Sequence, residues 1–204
     1  MLQIMNIIRL KITVRVMVSL AFFFSVSVLA GNPTAVERQY CSWCHGVSGQ
    51  GYSSAPRLAG QRTQYMENQL QAFHRHTRVG PVMWDATVAL GAQSTRDMAL
   101  YFSAMPPKAA NDGDKALAAR GRTIYRGGIP ASNIVACAAC HGPNAEGVRE
   151  IPRVAGLSYN YLIVRLEQWH HGHNATESPP MPRIATQLSP DEIKALASYL
   201  SFVK

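Results

Sequence analysis

The chain has 204 residues, 47% of them hydrophobic and 16% charged, with a formal net charge of +8. Its arginines are scattered singly rather than clustered on one face, which argues against nucleic acid as a partner. Four cysteines fall into two identical short spacings, which points away from a disulfide framework.

At the N-terminus, Arg9, Lys11 and Arg15 precede an apolar run over residues 16–29, and residues 28–30 suit a cleavage site. That run is short for a span of about 20 residues, so residues 1–30 read as a cleavable export signal rather than a retained anchor. Export places the mature chain in the periplasm, with 174 residues and a formal charge of +5. This is enough for one large domain or two small ones.

The mature chain carries an internal duplication. Residues 41–76 and 137–172 align without a gap at an offset of 96, with twelve of 36 positions identical, well above chance. Beyond residue 76 the offset becomes 98, so that Met83 falls on Met181, Leu90 on Leu188 and Tyr101 on Tyr199. In the first repeat, Met66, Leu70 and Phe73 predict a middle helix, and Met98, Tyr101, Phe102 and Met105 a final one. The small polar stretch 109–115 reads as the boundary, and a helix is expected after it through Ala116 to Tyr125. In the second repeat, Leu162, Leu166 and Trp169 mark the middle helix. Residues 177–182, "ESPPMP", are expected to be neither helix nor central strand, because three prolines lack amide donors. Ser189, Pro190 and Glu192 then supply an N-cap, a first-turn proline and a capping-box acid, and Ile193, Leu196, Ala197 and Leu200 form one stripe. No strand alternation of useful length appears. The fold class is therefore all-α, with domains expected at residues 31–108 and 109–204.

Cys41-Ser42-Trp43-Cys44-His45 and Cys137-Ala138-Ala139-Cys140-His141 both match C-x-x-C-H, the attachment signature of c-type haem. Two thiols three residues apart on a helical turn each add to one haem vinyl group, and the His after them ligates iron. A zinc site built from both pairs leaves the two His unexplained and has 96 residues between its halves. A thioredoxin-like redox pair needs βαβ surroundings, which are absent. Two covalently bound haem c groups are the expectation, with Cys41, Cys44, Cys137 and Cys140 as attachment points.

Met83 and Met181 share one register and suit the sixth iron positions opposite His45 and His141, where a thioether raises the reduction potential. Met66, Met98 and Met105 lie on helical stripes and read as core. Pro56 and Pro152 each stand eleven residues after the motif His, and a backbone carbonyl beside each is the candidate acceptor for its ring N–H. Arg57 and Arg153 read either as partners of haem propionates or as solvated side chains. His74, His76, His170, His171 and His173 come after the middle helices; a rescue ligand or a surface metal site is weighed there against solvated helix ends, where His suits the dipole.

With both motifs, "PRLAGQ" and "PRVAG", "QYMENQLQAF" and "NYLIVRLEQW", "RGRTIYRGG", and the endings "ALYF" and "ASYL", the chain resembles a di-haem cytochrome c of the cytochrome c4 type. The resemblance implies two tandem class I cytochrome c domains, ligated His45/Met83 and His141/Met181, with propionate edges meeting between them near Arg57 and Arg153. It implies a single-electron carrier, not an enzyme. The implied partners are redox proteins: a respiratory complex or dehydrogenase as donor and a haem-copper oxidase as acceptor, with peripheral membrane association. Related readings are a fixed subunit of a dehydrogenase complex, or a haem enzyme such as a peroxidase or sulfur-compound dehydrogenase. The chain departs from the family at His76 and Asn174, where Gly and Arg are usual, and Leu157 stands where the first repeat has Gln61.

Overall fold

Each half is built outward from capped helices. In this computed structural model, residues 33–52, 55–172 and 180–204 are described. Residues 1–30, where an export signal is expected, His173, Asn174 and residues 177–179 of "ESPPMP" lie outside them. Thr34 accepts from the Glu37 N–H while Glu37 accepts from the Thr34 N–H, a reciprocal cap. From it, α1 (Ala35–His45) runs straight into Cys41, Cys44 and His45. The first half continues with α2 (Thr63–His74), α3 (Pro81–Thr87) and α4 (Ala92–Ser103). Helix α2 packs against both α3 and α4.

The second half opens with α5 (Lys115–Gly127), whose N-cap Asp114 accepts from the Ala116 N–H at 2.8 Å. A 3₁₀ turn at Pro130–Ser132 leads to α6 (Ala138–His141), then α7 (Tyr159–His170), α8 (Met181–Ala185) and α9 (Pro190–Phe202). Ser189 and Glu192 form the expected capping box at the start of α9. Helix α9 packs across α5 and α7, and α7 packs against α8. The α5–α9 crossing is close: a Cβ added at Gly121 would stand 1.9 Å from the Ala195 carbonyl oxygen. Only hydrogen fits there.

The apolar core is also duplicated, but unequally. Ile124, Tyr125, Leu162, Ile193, Leu196 and Leu200 belong to the larger cluster in the second half. Met66, Met98, Ala99 and Phe102 form a smaller one in the first. Each has a motif cysteine packed against it, Cys137 and Cys41 respectively. Among the described residues the only β-pairing is three isolated bridges. The all-α expectation holds.

Two local expectations are corrected. Met181 and Pro182 are not outside a helix but open α8, with Pro180 as N-cap. The first turn of a helix has no use for the amides that proline lacks, so proline there costs nothing. Helix α4 stops at Ser103, short of Met105. Met105 still packs against the first core, from the turn beyond the helix.

The helix-free segment that joins the halves is laid along α9 rather than left as a loose tether. The Asn111 N–H donates to the Ser201 carbonyl at 3.0 Å, and the N–H groups of Gly113 and Asp114 donate to the hydroxyls of Ser201 and Ser198 at 3.0 and 3.2 Å. Gly31–Lys204 form one compact unit.

Candidate haem sites

Helix α1 delivers Cys41, Cys44 and His45 in its last turns, and Gly46 ends it at φ +76°, a conformation that suits a residue without Cβ. Helix α6 and Gly142, at φ +83°, repeat this for Cys140 and His141, with Cys137 at the N-cap. The turns beyond these glycines match bond for bond. The Gly51 N–H donates to the His45 carbonyl and the Gly147 N–H to the His141 carbonyl, both at 2.8 Å. The Leu58 and Ala59 amides share the Gly49 carbonyl, as those of Val154 and Ala155 share that of Ala145. The duplication legible in the sequence is thus a duplication of hydrogen-bond geometry.

His45 and His141 are 6% and 7% exposed. The Nδ1 of His45 lies 2.8 Å from the Pro56 carbonyl oxygen, and that of His141 lies 3.0 Å from the Pro152 carbonyl oxygen. A carbonyl can only accept, so each Nδ1 carries the proton and each Nε2 keeps its lone pair. Burial, partly offset by these bonds, holds both imidazoles below the usual His range. A neutral, oriented imidazole with a free Nε2 is what iron ligation needs.

None of the four cysteines is paired in a disulfide. Cys41 and Cys137 are half-buried, and burial raises both thiols to about 11. Cys44 and Cys140 are exposed. Each pair therefore sits at the boundary between core and solvent, where a large flat apolar group can be gripped along one edge.

Met83 and Met181 are both half-buried, on the short helices α3 and α8 that pack against the middle helix of their own half. Helix α3 is firmly held. The Trp84 ring N–H donates to the Arg78 carbonyl at 2.7 Å, the Thr87 hydroxyl donates to the Met83 carbonyl at 2.8 Å, and His74 Nδ1 donates to the Thr87 carbonyl at 2.9 Å. His74 thus supports the methionine helix, a role sequence reasoning missed. The thirteen-residue separation of His74 and Thr87 carries no local signal for it. His76 stacks on Trp84 and adopts φ +57°, the left-handed shape that Gly172 takes at φ +73° in the second repeat. His170 ends α7 and His171 is its C-cap. Among the described residues no three His, Cys, Asp or Glu side chains group as a metal site.

Arg57 is not solvated. It is 5% exposed and donates to the carbonyls of Lys108, Ala155 and Gly156. Burial, with the neighbouring Arg153 charge, pulls its guanidinium down to about 10. Gln61 makes a two-point clamp across the same boundary, accepting from the Arg153 N–H at 2.8 Å and donating to the Arg153 carbonyl at 2.9 Å. Arg62 Nε donates to the Glu146 carbonyl at 2.7 Å, and Arg78, bonded to Gln69, reaches the Tyr161 hydroxyl at 3.3 Å. This boundary gathers guanidiniums; among the described residues the sole salt bridge is Lys194–Asp191, elsewhere.

The buried Nε groups of Arg57 and Arg153 and the Trp169 ring N–H have no hydrogen-bond partner among the described residues. Such donors are costly unless something accepts from them. A group that brings carboxylates to this region, grips two thiols by an apolar edge and takes a neutral imidazole on a metal fits the residues present. Haem c is that group.

Two helix-borne C-x-x-C-H sites in one all-α chain define a tandem c-type cytochrome. The cytochrome c family matches residues 34–114 and 118–204. Cytochrome c-552 of Acidithiobacillus ferridurans is 36% identical over 168 residues, covering 79% of this chain and 72% of its own. The thiosulfate dehydrogenase electron acceptor of Stutzerimonas stutzeri is 34% identical over 178 residues, covering 84% and 81%. The solved cytochrome c4 of Acidithiobacillus ferrooxidans superposes with a TM-score of 0.74 at 36% identity, covering 80% of this chain and 98% of that one. The chain belongs to the cytochrome c family, as a di-haem cytochrome of the cytochrome c4 type. It carries two covalently attached haem c groups, and its chemistry is electron transfer.

Proposed function

We propose that the chain is a periplasmic single-electron carrier, not an enzyme, that takes electrons from respiratory donors and passes them to a terminal oxidase. In this reading Cys41 and Cys44 tether the first haem, and Cys137 and Cys140 the second. His45 and Met83 ligate the first iron, and His141 and Met181 the second. The observation that carries it is the matched pair of buried imidazoles, each pinned through Nδ1 to a proline carbonyl. When bound, each haem supplies one-electron chemistry at its iron, with a potential raised by the thioether ligand. The protein's work is positional. The two carbonyls fix ring orientation, α3 and α8 present the methionines, and the burial of both His keeps water from the ligand side. Ligated by both a His and a Met, neither iron would keep a position for substrate, which speaks against the peroxidase and dehydrogenase readings.

The division into residues 31–108 and 109–204 belongs to the same proposal, supported by family matches that break between 114 and 118 and by the helix-free stretch before Lys115. So does the export signal over residues 1–30. Among the described residues no helix is long and apolar enough to cross a membrane. A second reading, as the dedicated acceptor of a sulfur-compound dehydrogenase, is favoured by the thiosulfate dehydrogenase electron acceptor relative.

Haem content tests the attachment sites: Cys137→Ser with Cys140→Ser should leave one haem per chain by pyridine haemochrome assay. An unchanged stoichiometry refutes the second site. Stopped-flow mixing of the reduced holoprotein with a haem-copper oxidase, and of the oxidised form with a reduced thiosulfate dehydrogenase, separates the two carrier roles. Rapid exchange with neither rejects both.

A further inference from the structure

The Gln61 clamp does more than join the halves. The peptide group between Pro152 and Arg153 is engaged at both ends. Its carbonyl oxygen accepts from His141 Nδ1 at 3.0 Å, and its N–H donates to Gln61 Oε1 at 2.8 Å. These bonds form one chain, from the imidazole through a single resonant peptide to a side chain of the other half. Gln61 is 7% exposed, so water competes little for any link. Its orientation is fixed at both carboxamide atoms, because Nε2 donates to the Arg153 carbonyl at 2.9 Å and Oε1 also accepts from the Arg62 N–H at 2.8 Å.

We propose that Gln61 is a positioning residue for the second haem: through the Pro152–Arg153 peptide it strengthens the hydrogen bond on the His141 imidazole and lowers the reduction potential of that haem. This rests on the assignment of His141 as an iron ligand. A peptide whose N–H is engaged becomes a better acceptor at its carbonyl, since hydrogen bonds in series polarise one another. A stronger bond from Nδ1–H gives the imidazole more electron density, makes it a more basic ligand and favours ferric iron. The device is one-sided. The first haem's His45 bonds the Pro56 carbonyl in the same way, but the position equivalent to Gln61 is Leu157, which has no acceptor to offer. One residue thus separates the potentials of two otherwise repeated sites, and ties the second to the docking of the first half.

Gln61→Leu, which copies the other repeat, tests this in the holoprotein. Redox titration should show the second haem's potential raised, its reduction equilibrium shifted on the order of threefold, with the first haem unmoved. In the reduced protein labelled with ¹⁵N-histidine, the His141 Nδ1–H resonance should move upfield while that of His45 stays. Gln61→Glu keeps the acceptor and should hold the His141 resonance at or downfield of its wild-type position, which serves also if the leucine variant folds poorly. An unmoved second potential and resonance, or equal shifts at both haems, overturns the relay. His141→Ala separates the two assignments. If the second haem keeps its low-spin spectrum in that variant, the ligand assignment fails and the relay with it. If the spectrum is lost but Gln61→Leu shifts nothing, the relay alone fails.

Discussion

Arg57 Nη1 lies 2.9 Å from the carbonyl oxygen of Gly156, so a side chain of the first repeat reads the backbone of the second at the position equivalent to its own Gly60. The same guanidinium serves the Lys108 and Ala155 carbonyls. Arg57→Met would leave three acceptors without a charged donor, two of them on buried residues. We expect a loss of about 3 kcal/mol in denaturant unfolding of the holoprotein. Arg57→Lys should recover only part of it, because one ammonium cannot reproduce the planar fork. Wild-type stability in the methionine variant would show that these bonds contribute nothing net.

Ligation by methionine has a direct optical consequence. If Met181 closes the second iron, reduced wild-type protein should bind carbon monoxide poorly, and Met181→Ala should open that haem alone, to half the total haem. Met83→Ala should open the other half. Helix α3 is tied down through Trp84, Thr87 and His74, so His74→Ala should increase carbon monoxide binding at the first haem only. Ready binding by the wild type would favour the enzyme readings.

Gly121 tests the helix crossing. A methyl there would meet the Ala195 carbonyl oxygen and backbone carbon at 1.9 and 2.6 Å, neither of which belongs to a flexible side chain. Gly121→Ala gains helix propensity of about 0.9 kcal/mol. The overpacking it forces costs roughly 1–3 kcal/mol or more. The expected net result is a lower thermal midpoint with both haems still attached. A raised midpoint would mean that α5 and α9 separate freely.

The middle and final helices of both repeats and the two proline carbonyls were legible in the sequence because each is a local or repeated signal: a stripe, a cap, an eleven-residue spacing. The short methionine helices α3 and α8 were not. The boundary chemistry was not. Gln61 and Leu157 differ at one position of the repeat, yet nothing in a sequence says that Gln61 reaches Arg153, 92 residues away. Tyr65 and Tyr161 are one position of the repeat, and only the fold shows both beside the buried Arg78, with burial raising the Tyr65 phenol. "ESPPMP" misled at its end because the helix-breaking rule for proline fails in the first turn.

Separately expressed halves, cut near Gly113, provide the most demanding test of the boundary. In the intact chain Arg57, Gln61 and Arg78 are buried, with partners across the boundary that include Gly156, Arg153 and Tyr161. Isolation would hydrate these groups and leave the second half without the Gln61 acceptor. The cut also exposes the face of α9 to which Asn111, Gly113 and Asp114 are tied. Hydration weakens every charge interaction at the boundary, since the effective dielectric rises from the protein range toward that of water. The potential of each haem in an isolated half should therefore differ from its value in the whole chain. Within the whole chain, reducing one haem should lower the electron affinity of the other, and flash reduction should reveal intramolecular transfer. Identical potentials in the halves and the whole, together with no detectable transfer, would reduce the molecule to two independent carriers on one polypeptide.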